Sequence, residues 1–266
     1  MKEFLLTPFK FREINPKIES NYKYINNVDS AKFLSGYPLN KYWTFDFIET
    51  ISDYINFDTI KTIFDIGSRD GHQSVEFRNW FPEANITAFE ANPHQIQNLK
   101  NVTNGNNINL ELSCVGNKNG TTCFNLSPIN IGASSVLKIN DHRVSKEWIQ
   151  HEIEVPLIRI DNYCERNSVS KIDLLWMDVQ GFEIPVLEGF GKMLEDVSAI
   201  CTEVELVQMY DGATIKKDLD EYLLQYGFQE LQVFHMCPPE AMIYEKFEDN
   251  CPEVDVVYIN KKYLNE

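Results

Sequence analysis

The strongest constraint on this chain is a repeated unit, a short apolar run that ends on glycine or an acid and gives way to a helix-like stretch. Thr62-Ile63-Phe64-Asp65-Ile66 runs into Gly67, Ile86-Thr87-Ala88-Phe89 stops at Glu90, and Ile172-Asp173-Leu174-Leu175-Trp176-Met177 closes on Asp178. Runs of this kind read as strands buried on both faces. Residues 109–115 and 199–206 add two more. Helices are expected over 71–81 ahead of Pro82, from Pro93 onward, around 185–194, and over 215–226 before Gly227. Proline suits a first helical position and glycine a helix end. The alternation specifies a doubly wound α/β sheet, mostly parallel, with helices on both faces. The last two strands, 228–234 and 254–260, have no helix between them, so one must run antiparallel. Residues 116–150 lack helical period, and Asn117-Lys118-Asn119-Gly120 suggests a hairpin turn.

The first sixty residues differ in texture, with Tyr22, Tyr24, Phe33, Tyr37, Tyr42, Trp43, Phe45 and Phe47. Phe47, Ile48, Ile51, Tyr54 and Ile55 recur at helical spacing within a helix expected over 41–55. We read residues 1–58 as a helical cap on a domain spanning 59–266, with a substrate lid or a homo-oligomer contact as the alternative role. A chain of 266 residues, 43% hydrophobic, suits one large domain with such an appendage.

Charge narrows the partners. With 24 Lys and Arg against 40 Asp and Glu, the net charge of −16 repels a polyanion, which excludes nucleic acid and disfavours an anionic membrane surface. No stretch approaches the ~18 apolar residues of a membrane span. The opening M-K-E-F-L-L-T-P-F-K-F-R-E lacks the apolar core of a secretory signal. Cysteines at 114, 123, 164, 201, 237 and 251 form no C-x-x-C pair and are expected as reduced thiols. The sequons at Asn85, Asn101, Asn119 and Asn125 are read as chance, and the expected compartment is the cytoplasm.

In sheets of this type ligands bind beyond the carboxyl ends of the strands. The first such end carries D-I-G-S-R-D-G, residues 65–71. Its glycines permit a sharp turn and close backbone approach, but the G-x-x-x-G spacing departs from the G-x-G-x-x-G of a pyrophosphate clamp. Glu90, nineteen residues beyond Gly71, stands where an acid accepts hydrogen bonds from ribose hydroxyls. The glycine loop, the ribose acid and the late strand pair together point to S-adenosylmethionine as cofactor.

Four stretches give this reading a family. I-F-D-I-G-S-R-D-G-H-Q-S-V-E-F (63–77), I-T-A-F-E-A-N-P (86–93), I-G-A-S-S-V (131–136) and D-L-L-W-M-D-V-Q-G-F-E-I-P-V-L-E-G-F (173–190), the last followed by C-T-E-V-E-L (201–206), resemble the FkbM-type S-adenosylmethionine-dependent methyltransferases over about 60–235. Gln180 stands where many relatives carry an acid, and Ser68-Arg69-Asp70 replaces the commoner G-A-N. The resemblance implies a Rossmann-like methyltransferase sheet and O-methylation of a hydroxyl on a sugar, a nucleotide-activated sugar or a surface glycan.

Roles follow from position. Asp65, Gly67, Ser68, Gly71 and His72 are expected around the methionine part of the cofactor, Glu90 and Ala91 at its ribose, and Cys114 and Val115 beside the adenine. Asp178 is the expected general base, with His142 and His151 as lesser candidates. Arg69, Ser134, Ser135 and Gln180 are expected to shape the acceptor pocket. If magnesium takes part, which is not favoured, its ligands are Asp178, Glu203 and Glu205. A phosphorylated acceptor needs cations, for which Arg69, Arg143 and Lys146 are the candidates. The competing readings are a non-enzymatic binding module and a nucleotide-sugar oxidoreductase or epimerase. Y-x-x-x-K occurs at Tyr37–Lys41 and Tyr258–Lys262, but without the glycine clamp that the oxidoreductase class requires.

Overall fold

In a computed structural model the described residues are 42–140, 149–235 and 252–264. Helix α1 (Phe45–Ile51) leads into strand β1 (Thr62–Ile66), helix α2 (His72–Trp80), β2 (Asn85–Phe89), α3 (Ile96–Thr103) and β3 (Ile108–Glu111). Short strands β4 (Cys114–Val115), β5 (Gly120–Leu126) and β6 (His151–Ile158) follow, then α4 (Ile160–Asn167) and β7 (Leu174–Met177). The chain continues through α5 (Glu183–Glu188), β8 (Ala199–Glu205), α6 (Lys216–Gln225), β9 (Phe228–His235) and β10 (Glu253–Asn260).

Seven strands build one sheet in the order β3-β2-β1-β7-β8-β10-β9. All pairings from β3 to β8 are parallel, and β10 is antiparallel to both β8 and β9. This is the doubly wound α/β Rossmann-like sheet with a reversed terminal strand. The antiparallel register of β10 with both neighbours places it between two strands that run the other way.

Period-two side-chain alternation distributes the core to both faces. Ile63, Ile86, Leu174, Trp176, Ala199, Cys201, Val257 and Ile259 pack with α1 and α2, through Phe47, Ile48, Ile51, Phe77 and Trp80. Phe64, Ile66, Leu175, Met177, Ile200, Val204, Val254 and Val256 pack on the other face with α4, α5 and α6. Tyr42, Phe47, Ile48, Ile51 and Ile55 are therefore built into the core, while Trp43 and Tyr54 turn outward.

Several boundaries differ from expectation. Helix α3 starts at Ile96 because Asn92 Oδ1 accepts the His94 N–H at 2.9 Å, fixing a turn where Pro93 was expected to open the helix. The strand expected over 109–115 is two, β3 in the main sheet and β4 in a second one. Strand β7 begins at Leu174 because Asp173 turns its carboxylate to the Lys61 and Thr62 N–H groups, at 2.8 and 3.0 Å. The helix around 185–194 is α5 followed by a 3₁₀ stretch, Gly191–Asp196. The turn at 117–120 reverses the chain, but β4 and β5 do not pair; β6 lies between them in a sheet ordered β4-β6-β5. Strand β6 and helix α4 went unassigned in the sequence.

Candidate active site

Strand register assembles the site. Ile66 pairs with Phe89 on β2 and with Met177 on β7, and Met177 pairs with Thr202 on β8. One residue further along each strand, Glu90, Gly67, Asp178 and Glu203 emerge side by side at the carboxyl edge. Strand β10 extends the row, since Asp255 pairs with Glu203 across the antiparallel ladder. An acid or glycine thus stands at this level on each of five adjacent strands, with Glu203 and Asp255 still inside β8 and β10.

Above this edge lies a cavity of about 300 Å³, the lower end of the ~300–1,000 Å³ usual for small-molecule sites. Among the expected residues, Gly67, Arg69, Glu90, Ala91, Cys114, Val115, Ser134, Asp178, Gln180 and Glu203 line it. The others stand behind. Asp65 is fully buried, with its Oδ2 accepting the Ser74 hydroxyl at 2.5 Å. Ser68 is buried, and its hydroxyl has no partner among the described residues. Ser135 donates to the Gln180 carbonyl at 2.8 Å and braces that loop. His72 pairs with Asp70 at 2.9 Å on a half-exposed surface.

Gly71 has a packing duty. Its φ is +81°, and a Cβ there would meet Leu99 and Thr103 of α3 at 2.7 and 2.8 Å. His151 is exposed at the start of β6. His142, Arg143, Lys146 and the Tyr37–Lys41 pair lie outside the described residues.

Glu90 does more than face the cavity. Its Oε2 accepts the Arg69 N–H and its Oε1 the Asn92 N–H, each at 2.6 Å, so it ties the two loops together. Burial raises its pKa to about 7 against those two hydrogen bonds, with Asp65 and Asp178 adding repulsion. Asp65 is likewise raised to about 7 by burial, and its Oδ1 has no partner among the described residues.

Gln180 occupies the centre of the acidic end. Its Nε2 donates to Asp178 Oδ1 at 2.7 Å and to Glu203 Oε1 at 2.5 Å, while its Oε1 accepts the Tyr210 hydroxyl at 2.8 Å. An amide is the side chain this position needs, because it donates to two carboxylates without adding a charge. Gln180 and Arg69 both hold left-handed backbone, φ +53° and +50°, one in each loop that overhangs the cavity. Such conformations gather at functional sites. Burial raises the pKa of Asp178 against the Gln180 hydrogen bond, and burial and then Asp178 push Glu203 well up.

Glu205 is not beside Glu203 in the cavity wall. It turns under the loop, where its Oε2 accepts the Met209 N–H at 2.6 Å and its Oε1 has no partner. Among the described residues no group of three or more His, Cys, Asp or Glu is placed to hold a metal ion. Cavity-lining residues missed in the sequence include Trp43, Gln73, Phe124, Phe182, Glu253 and Asp255. The alternation of β10, once registered against Glu203, would have exposed the last two.

The described residues contain no helix long and apolar enough to cross a membrane. Two curated relatives match about half of the chain. The 2-O-methyltransferase NoeI of Sinorhizobium fredii is 28% identical over 159 residues, 56% of this chain and 65% of that protein. The hexuronic acid methyltransferase AglP of Haloferax volcanii is 27% identical over 145 residues, 53% of this chain and 55% of that protein. The match therefore spans less than two thirds of either relative. Among solved structures, Methanococcus jannaschii fibrillarin aligns with a TM-score of 0.44 at 15% identity, over 77% of this chain and 68% of that one. Aeropyrum pernix fibrillarin with bound S-adenosyl-L-methionine gives 0.42 at 12%, over 75% and 66%. Scores at that level carry no argument. The profile of the methyltransferase FkbM domain matches residues 65–230, from the Asp65 turn through the middle of β9, and the chain belongs to that family.

Proposed function

We propose that this protein is an S-adenosylmethionine-dependent O-methyltransferase acting on a hydroxyl of a sugar, a nucleotide-activated sugar or a surface glycan. The observation that carries the reading is one cavity whose wall joins the Gly67 turn, the Glu90 tip and the Asp178 tip. A 2-O-methyltransferase and a hexuronic acid methyltransferase among its relatives support the acceptor class.

The residues present fit the cofactor. Beneath the glycine turn, Asp65 Oδ1 and Ser68 Oγ are buried polar atoms with no partner among the described residues, which marks polar capacity left unfilled behind this turn. The Glu90 oxygens keep lone pairs for two ribose hydroxyls beyond the loop N–H groups they already accept. Phe89, Cys114, Val115 and Phe124 give an apolar wall for a base. When bound, the cofactor supplies a methyl group already activated on a sulfonium.

Asp178 would take the proton of an acceptor hydroxyl brought to this end of the cavity, where the cofactor, when bound, would supply the methyl group. Burial lifts its proton affinity, and Gln180 holds its carboxylate in place. Gln180 and Ser134 border the acceptor, and most of the rate gain comes from orientation. The reaction is assigned to the cytoplasm with a small-molecule or glycan partner.

Thermal shift with S-adenosylhomocysteine, S-adenosylmethionine and NAD in parallel tests the reading. Stabilisation by the adenosyl ligands and a mass gain of one methyl on a sugar acceptor are expected. A shift with NAD alone would overturn it.

A further inference from the structure

The cavity has two chemically distinct ends. Gly67, Glu90, Ala91, Cys114 and Val115 follow strands β1 to β3 on one side, Asp178 follows β7 while Glu203, Glu253 and Asp255 belong to β8 and β10 on the other, and Trp43 is part of the same wall. Four carboxyl groups therefore converge where the acceptor must enter. Arg69 is the only cationic side chain in the cavity wall among the described residues, and it leans on Asp70 at 3.6 Å.

Asp255, partly buried in the cavity wall, is the centre of this imbalance. Its carboxyl group makes no hydrogen bond or ion pair among the described residues, and burial followed by Asp178, Glu253 and Asp46 raises its pKa to about 7. The same neighbourhood raises Glu253 through burial and Asp178. An acceptor bearing a carboxylate or phosphate would meet like charge here, and a hydroxyl can hydrogen-bond but cannot cancel the surplus.

Trp43 is the second element. It is 62% exposed yet lines the cavity, and its backbone is fixed from behind by a buried acid. Glu76 accepts the Trp43 N–H at 3.3 Å, and the Thr44 N–H and hydroxyl each at 2.9 Å. The Trp80 indole donates to the Thr44 hydroxyl at 3.1 Å and completes the anchor. An indole held at the mouth of an acid-lined pocket offers a face to a sugar ring and to a cation.

We propose that Trp43, Glu253 and Asp255 form an amine-recognising subsite at the acceptor end, so that the preferred acceptor is a sugar carrying a free amino group. The proposal rests on the methyltransferase reading for the word acceptor, while the subsite itself is defined by its charge and its indole. It makes Asp255 and Glu253 specificity residues and Glu76 a positioning residue that acts through Trp43.

The test titrates glucosamine, glucose and glucuronate into the full chain saturated with S-adenosylhomocysteine, read by calorimetry. Glucosamine is expected to bind about tenfold tighter than glucose, and glucuronate weakest. Asp255→Asn should remove the advantage of glucosamine over glucose, with S-adenosylhomocysteine affinity as the folding control. Glu253→Gln is the second variant should Asp255→Asn misfold, and Trp43→Ala should weaken glucosamine and glucose together. Equal binding of glucosamine and glucose, tighter binding of glucuronate, no binding of any of the three, or a preference that survives in both acid variants would overturn the subsite. Failure of S-adenosylhomocysteine to bind would instead overturn the methyltransferase reading, and the three sugars titrated into the free chain would still judge the subsite.

Discussion

Gly67 and Asp178 meet across β1 and β7 so closely that a Cβ on the glycine would sit 1.8 Å from the Asp178 carbonyl oxygen. The Asp178 N–H donates to the Ile66 carbonyl at 2.9 Å, which locks the two strand ends at that separation. Gly67 also holds φ +82°. Its two constraints, steric and conformational, act at the point where the cofactor turn meets the proposed base.

Gly67→Ala should therefore cost about 3 kcal/mol or more of stability, since an L side chain is strained at this φ and has no room. Urea denaturation measures this directly. A loss below about 1 kcal/mol would show that the β1–β7 edge yields more easily than its hydrogen bonds suggest.

Glu90→Ala should weaken S-adenosylhomocysteine at least tenfold, about 1.4 kcal/mol, through lost ribose contacts. From the sequence Glu90 is a binding residue alone, but its hold on the Arg69 and Asn92 N–H groups makes it structural as well. A further stability loss of about 1–2 kcal/mol is expected. Calorimetry paired with denaturation separates the two effects, and unchanged affinity would remove the ribose role.

Gln180→Glu exchanges a donor shared by Asp178 and Glu203 for a third carboxyl group between them. Turnover should fall about a hundredfold, as the proposed base loses its orienting partner. The variant should also melt lower than the parent chain at about pH 8 and recover on acidification, because the added acid folds more readily when protonated. Turnover equal to the parent would mean that the amide does not orient Asp178.

Stability of the ligand-free chain should fall as pH rises. Burial raises Asp65, Glu76, Glu90, Glu205 and Asp255 to about 7 and Glu183 to about 8. Their unfolded values lie near 4, so between the two the folded chain binds more protons than the unfolded one. The contribution is complete below about pH 4 and is lost as pH climbs through about 7. The melting temperature should drop by at least ~5 °C from about pH 5 to about pH 8. A flat or rising profile would contradict the burial of these acids.

The parts of the site legible in the sequence were those that sit at strand ends. Gly67, Glu90 and Asp178 each follow an apolar run that stops abruptly, and parallel register then places them in a row. Gln180 was visible as a departure from the family pattern, but its role depends on Glu203 and Tyr210, which only tertiary pairing brings near. Trp43 and Asp255 were not legible at all. One is anchored by a buried acid far away in the chain, and the other owes its position to an antiparallel register that no local pattern encodes. Gly71 was read as a cofactor residue because glycine-rich turns usually serve ligands; here the nearest demand on it comes from α3.

The reversed strand also has a consequence for biosynthesis. Strand β10 is seated between β8 and β9, so a nascent chain that has not yet released residues 253–260 leaves both neighbours with bare facing edges. Those edges are open to pairing with other chains until this segment leaves the ribosome. The same segment delivers Asp255, so closing the sheet and completing the row of acids are one event. A premature stop shortly before Glu253 would yield an aggregating fragment and not a slower enzyme.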